Sequence, residues 1–168
     1  MPIPQLPAYN DWSTNTIVVL VTLLLVSLAV LIHYEGLSFL NQWLRRDSDT
    51  AQRRLVLYSI GGVICLHLLE IWLFGIGYYC LQLFPKCGYI QNISGQPPHF
   101  LDDIYFSSAV FSSVGFGDLV PVGPIRFIAG TEGLVGLVLI GWSASFTYLE
   151  MQRYWQLSDT ELPKKTET

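Results

Sequence analysis

Three long apolar runs separated by short polar stretches set the frame of this chain. Segment one runs from about Thr16 to Ile32 and extends through His33–Glu35. Its core, IVVLVTLLLVSLAVLI, carries no charge and approaches the roughly 20 residues that span a bilayer. Segment two runs from Leu55 to Phe84. As a helix it would measure about 45 Å against a hydrocarbon core of about 30 Å, so it tilts or projects beyond the membrane. Segment three opens at Pro124, a residue suited to a first helical turn, and runs to about Glu150. Between segments two and three lies a shorter apolar stretch, Phe100 to Val114, which leads into glycines. Too short to span, it has the profile of a re-entrant segment. The pattern predicts an all-α membrane protein with three transmembrane helices and one re-entrant helix.

Composition agrees. Hydrophobic residues make up 51% of the chain and charged residues 13%, where a soluble domain carries about 25% charge. A chain of 168 residues is too short to bury that much apolar surface in its own core. A net charge of −4 gives no basic stripe for nucleic acid. The N-terminus lacks a basic leader and a small-residue cleavage site, so segment one is expected to be retained. Arg45, Arg46, Arg53, Arg54, Arg153, Lys164 and Lys165 fall on one side of this topology, and only Lys86 and Arg126 on the other. The positive-inside rule then places the C-terminus in the cytoplasm and the N-terminus outside, in a plasma or inner membrane.

GLSFLNQWLRR sets Leu37, Leu40, Trp43 and Leu44 at helical spacing beside two arginines. This predicts an interfacial helix on the cytoplasmic leaflet, or else segment one simply runs on as a helix. Trp72, Tyr78, Tyr79, Tyr154 and Trp155 include candidate interface anchors.

Residues 113–118, Ser-Val-Gly-Phe-Gly-Asp, need a reason to place irregular backbone at membrane depth. Gly115 and Gly117 alternate with larger residues, which lets successive carbonyls point one way without strain. Potassium-channel filters line a pore with four such strands, whose oxygens replace the ion's hydration shell. One loop cannot encircle an ion, so four copies are required.

In these residues the chain resembles the pore module of the potassium channel superfamily. The likeness covers Leu101 to about Gln152, and more loosely Leu55 onward. It is nearest the small bacterial two-helix-pore ion channel group, through HLLEIWLFGIGYY in segment two and TEGLVGLVLIGWS in segment three. The resemblance implies a pore domain over 55–152. Its parts are an outer helix 55–84, an outer loop 85–100, a pore helix 101–112, a filter 113–118 and an inner helix 124–150. Residues 1–54 then form an N-terminal segment, a peripheral helix and a linker, and residues 153–168 a short tail. The filter carbonyls of Ser113, Val114, Gly115, Phe116 and Gly117, with the Ser113 hydroxyl, would bind K+ as permeant ion; no cofactor is implied and no enzyme activity. Ser113 stands where Thr is usual and Phe116 where Tyr is usual, so a hydroxyl behind the filter is missing and a less rigid filter is expected.

The same resemblance pairs Tyr105 with Asp118 by a hydrogen bond bracing the filter. It also leaves Ala109 where many relatives carry Glu. Asp102 or Asp103 would cap the pore helix. Glu132, a costly carboxylate within a span, is expected to brace the pore helix rather than bind ions, and Gly136 to serve as packing contact or gating hinge. His67 and Glu70, i and i+3, read as a polar pair, since a metal site would need further ligands. His33 and His99 are expected to face solvent. Cys80 and Cys87 would either pair or remain free thiols, and Asn92-Ile93-Ser94 matches a glycosylation sequon.

The implied function is passive K+ conduction by a homotetramer in a lipid bilayer. The alternatives are a weakly selective cation channel and a non-conducting accessory or transporter subunit. Segment one holds no basic residue, so it is no voltage sensor of the Arg-ladder type.

Overall fold

The computed structural model describes residues 11–46, 52–93, 95 and 99–160. Helix α1 (Trp12–Arg46) starts behind Asp11. The Asp11 carboxylate accepts hydrogen bonds from the Ser13 amide at 3.2 Å and the Thr14 hydroxyl at 3.0 Å. It thereby satisfies donors that a helix start leaves open. The Ser13 and Thr14 bonds hold Asp11 well below the usual carboxylate range. Lys86 Nζ, 3.4 Å from Asp11, links this cap to the turn that follows the second helix.

Helix α1 does not stop at a membrane boundary. It runs unbroken to Arg46, and Leu37, Leu40 and Leu44 are buried against Val63 and Leu66 of α2 (Gln52–Gln82). The expected interfacial helix is therefore the second half of α1, and its leucines serve a helix–helix contact instead of a leaflet. The same continuity overturns the solvent-facing reading of His33, which is fully buried in mid-helix. His99, by contrast, is exposed.

After α2 come a 3-10 turn at Pro85–Cys87, strand β1 (Tyr89–Asn92), helix α3 (Phe100–Phe111), strand β2 (Leu119–Val122) and helix α4 (Arg126–Thr160). Helices α1, α2 and α4 are each long and apolar enough to cross a membrane. Helix α3 is 12 residues long, about 18 Å, and cannot. It packs against α2 and α4, while α1 lies against α2 and α4 from outside. Phe74, Tyr78, Phe111, Ile125 and Ile128 form the centre of the core, joined by Val18, Leu25 and Ala29 of α1. Tyr78 is thus a core residue and not an interface anchor. Helix α4 begins at Arg126, just beyond the Pro124 turn, and continues past the expected end near Glu150.

The two strands pair antiparallel, Tyr89 with Val122, Ile90 with Pro121, Gln91 with Val120 and Asn92 with Leu119. Pro121, which has no N–H to donate, sits on a ribbon that has two strands among the described residues; edge positions tolerate this. Gln82 locks the ribbon to α3. Its Nε2 donates to Asp103 Oδ1 at 2.7 Å and its Oε1 accepts from the Ile90 amide at 2.8 Å. Asp103 is accordingly a buried tie, and Asp102 is the capping residue, accepting from the His99 amide at 2.7 Å. The thiols of Cys65, Cys80 and Cys87 are free, and burial pushes the Cys87 thiol up. Lys164, Lys165 and Ser94 of the sequon lie outside the described residues.

Candidate functional site

The site is the loop that joins α3 to β2. Every second residue of it takes a left-handed backbone, with φ of 57° at Ser113, 54° at Gly115 and 79° at Gly117. A Cβ added at Gly115 or Gly117 would meet nothing within 4 Å of this chain, so it is the dihedral that asks for glycine there. Ser113 adopts the same region without that freedom, at about 1–2 kcal/mol.

The end of α3 holds the strained turn. Ser113 N–H donates to the Val110 carbonyl at 2.9 Å, and the N–H groups of Val114 and Gly115 both donate to the Ala109 carbonyl, at 3.0 and 3.1 Å. In a planar trans peptide, the carbonyl of one residue points opposite to the N–H of the next. With three successive N–H groups turned back onto α3, the carbonyls of Ser112, Ser113 and Val114 all point away from it. Position 109 lacks a side-chain carboxyl, and its backbone oxygen ties down the loop instead.

The far side of the loop is tied as well. Ile93 N–H donates to the Asp118 carbonyl at 3.0 Å, extending the ribbon to the loop's exit. Desolvation and the neighbouring Asp118 carboxylate raise the Tyr105 hydroxyl above its ordinary pKa, so the two side chains lie near each other. The Phe116 ring stacks on Tyr105, centroids 6.1 Å apart and planes within 10°. Even so, Phe116 is 69% exposed and Val114 57% exposed in the single chain.

Behind α3 lies a buried polar chain. Glu132 is fully buried on α4. Tyr78 of α2 donates to its Oε2, and Ser107 of α3 lies 2.5 Å from its Oε1. Ser107 Oγ is also 2.9 Å from the Ile71 carbonyl. A serine hydroxyl has one hydrogen, so it cannot donate fully to both. The proton count closes when Glu132 is a neutral acid that donates to Ser107, which donates in turn to Ile71. The sequence marked Glu132 as a brace but missed both partners; a buried carboxyl's need for donors on the facing helices was the available signal. Replacing Glu132 with Gln, which also carries one acceptor and a donor, is expected to keep this chain. Glu132→Ala should lower thermal stability by about 1–3 kcal/mol for each buried group left unsatisfied. Melting of the two variants in detergent checks it.

Gly136 sits where α4 crosses the end of α3. A Cβ there would fall 2.1 Å from the Phe111 carbonyl oxygen and 2.9 Å from its carbon, so close packing alone requires glycine. A second polar cluster, His33, His67 and Glu70, lies beneath α3. His33 Nδ1 is 2.7 Å from Glu70 Oε1, and His67 Nδ1 is 2.9 Å from Glu70 Oε2.

A family model described as "Ion channel" matches residues 55–152. The chain belongs to the ion channel family. The match begins near the start of α2 and ends in α4, enclosing the loop, the ribbon and the Glu132 chain; α1 lies outside it. The chain is also 30% identical over 90 residues to the inward rectifier potassium channel Kirbac3.1 of Paramagnetospirillum magnetotacticum. That similarity covers 52% of this chain and 28% of the relative, so the chain spans little more than a quarter of its length. No solved structure matches. As an ion channel family member with three apolar helices, the protein is a multi-pass membrane protein and not an enzyme.

Proposed function

We propose that the protein conducts K+ passively through a pore built by four copies of the chain, with residues 113–117 as its selectivity filter. The observation that carries this reading is the co-directed pair of carbonyls at Ser113 and Val114, fixed by the Val114 and Gly115 N–H bonds to Ala109. Carbonyl dipoles without a charged side chain favour a cation whose water they can replace. The left-handed residues at 115 and 117 continue the same alternation. One loop offers oxygens from one side only, and the exposed Val114 and Phe116 side chains are the surface that neighbouring copies would cover.

In this reading α4 is the inner helix and α2 the outer helix. The carbonyl end of α3 points at the central cavity, where the helix dipole favours a cation. Tyr105, Asp118 and Glu132 support the filter, and Gly136 is the contact at which the inner helix meets the end of α3. The N-terminus faces outside and the arginine-rich linker the cytoplasm, following the charge bias. Two measurements test assembly and function together. The purified protein should have a protein mass of about four times 19.0 kDa, and liposomes containing it should release K+ down its gradient. A stable monomer, or liposomes no leakier than empty ones, would contradict the proposal.

A further inference from the structure

Three ionisable side chains meet deep among the apolar helices, where each is expensive to place. His67 and Glu70 come from α2 and His33 from α1. One ligand atom from each lies within 4.8 Å of the others. His33 and Glu70 are fully buried, and the His67 side chain is 17% exposed. The two imidazoles stack, with centroids 5.5 Å apart. Sequence alone supplied two of these ligands and no third. The third arrives because α1 continues past His33 and packs on α2.

We propose that His33, His67 and Glu70 form a binding site for a divalent transition metal of the zinc class. Two imidazole nitrogens and one carboxylate are the donor set of a three-ligand zinc site with one open position. Bonds of about 2.0–2.2 Å at tetrahedral angles put ligand atoms about 3.3 Å apart. The two nitrogen–oxygen pairs, at 2.7 and 2.9 Å to different carboxylate oxygens, part by a few tenths of an ångström, while the set as a whole, now within 4.8 Å, draws in around the ion. Without metal, Glu70 accepts from both rings and holds them facing the centre. Ser143 of α4 stands 3.4 Å from His33 Nε2, the position from which an outer hydrogen bond orients a metal-ligating imidazole. His67 and Ser143 also line a largely aliphatic crevice of about 420 Å³ between α2 and α4, which makes His67 the accessible member of the set.

The site would clamp the peripheral helix to the channel domain, and it touches the pore helix: the His67 ring lies 5.6 Å from Phe111, the last residue of α3. Metal binding here is independent of which ion the pore conducts. The test uses the full chain without a histidine tag, stripped of metal by chelator and titrated with Zn2+ by calorimetry. Saturable uptake of one Zn2+ per chain is expected. His33→Gln and His67→Gln should each weaken it by at least about tenfold, while His99→Gln, at the exposed start of α3, should leave it unchanged. No saturable uptake, or a His33→Gln protein that elutes and binds as the parent does, overturns the site. Should that variant fail to fold, Co2+ added to the parent protein decides. Intense visible bands of a four- or five-coordinate ion support the site, and the weak spectrum of hydrated Co2+ rejects it.

Discussion

Gly115→Ala is expected to abolish K+ release from liposomes while leaving the helices folded. Gly115 has a φ of 54°, a region in which an L-residue costs about 1–2 kcal/mol. Four copies in one pore would carry about 4–8 kcal/mol of that strain in a ring of four loops. The loop can relieve it by flipping a peptide, which turns a carbonyl away from the axis and removes an oxygen from an ion site. Because no atom lies near the added methyl within the chain, the melting temperature of the variant should fall far less than its flux. Equal loss of both would mean that Gly115 acts through packing. The converse change, Phe116→Tyr, adds a hydroxyl to a ring held within the chain by its stack on Tyr105, and should leave K+ release intact.

Gly136→Val should have the larger structural effect. The first added carbon already lies 2.1 Å from the Phe111 carbonyl oxygen, well inside van der Waals contact, and the obstacle is backbone that no rotamer change can clear. Helix α4 and the end of α3 would have to separate, at the cost of about 1–3 kcal/mol or more typical of overpacking. Phe111 immediately precedes the turn whose N–H groups return to Val110 and Ala109, so the displacement reaches the 113–118 loop directly. Lost flux together with a lower melting temperature is expected. Gly141→Val is the control: on the same helix, with open space around its added Cβ, it should lower neither by a comparable amount. A Gly136→Val protein as stable and conductive as the parent would show that α3 and α4 do not depend on this contact.

What the chain reveals in one dimension follows from how local the cause is. Three spans and a short re-entrant helix are legible because hydrophobic length against bilayer thickness decides them. The irregular backbone of the 113–118 loop is legible because alternating glycines announce a conformation that other residues adopt only at a cost. The β1–β2 ribbon was not. Its strands are four residues each and are separated by the whole of α3 and the loop, so no turn signal joins them. Gln82, midway between Asp103 and Ile90, looks like any polar residue at a helix end until both partners are placed. His33 misleads for a related reason: it opens a short polar stretch, His33–Glu35, that looks like the end of a span, whereas its neighbours on α2 and α4 are what bury it. Tyr78 resembled an interface anchor, yet its hydroxyl points to Glu132 rather than to the membrane surface. In each of these cases the deciding contact is with another helix, and sequence spacing within one element carries no trace of it.

The proposed function makes this loop a filter that prefers K+. Its most direct test is the reversal potential of the reconstituted protein in a planar bilayer, with K+ on one side and an equal concentration of Na+ on the other. Carbonyl coordination by residues 113–117 predicts a potential displaced far from zero, in the direction set by K+ leaving its own side. A reversal potential at zero, with substantial current carried by both ions, would contradict it.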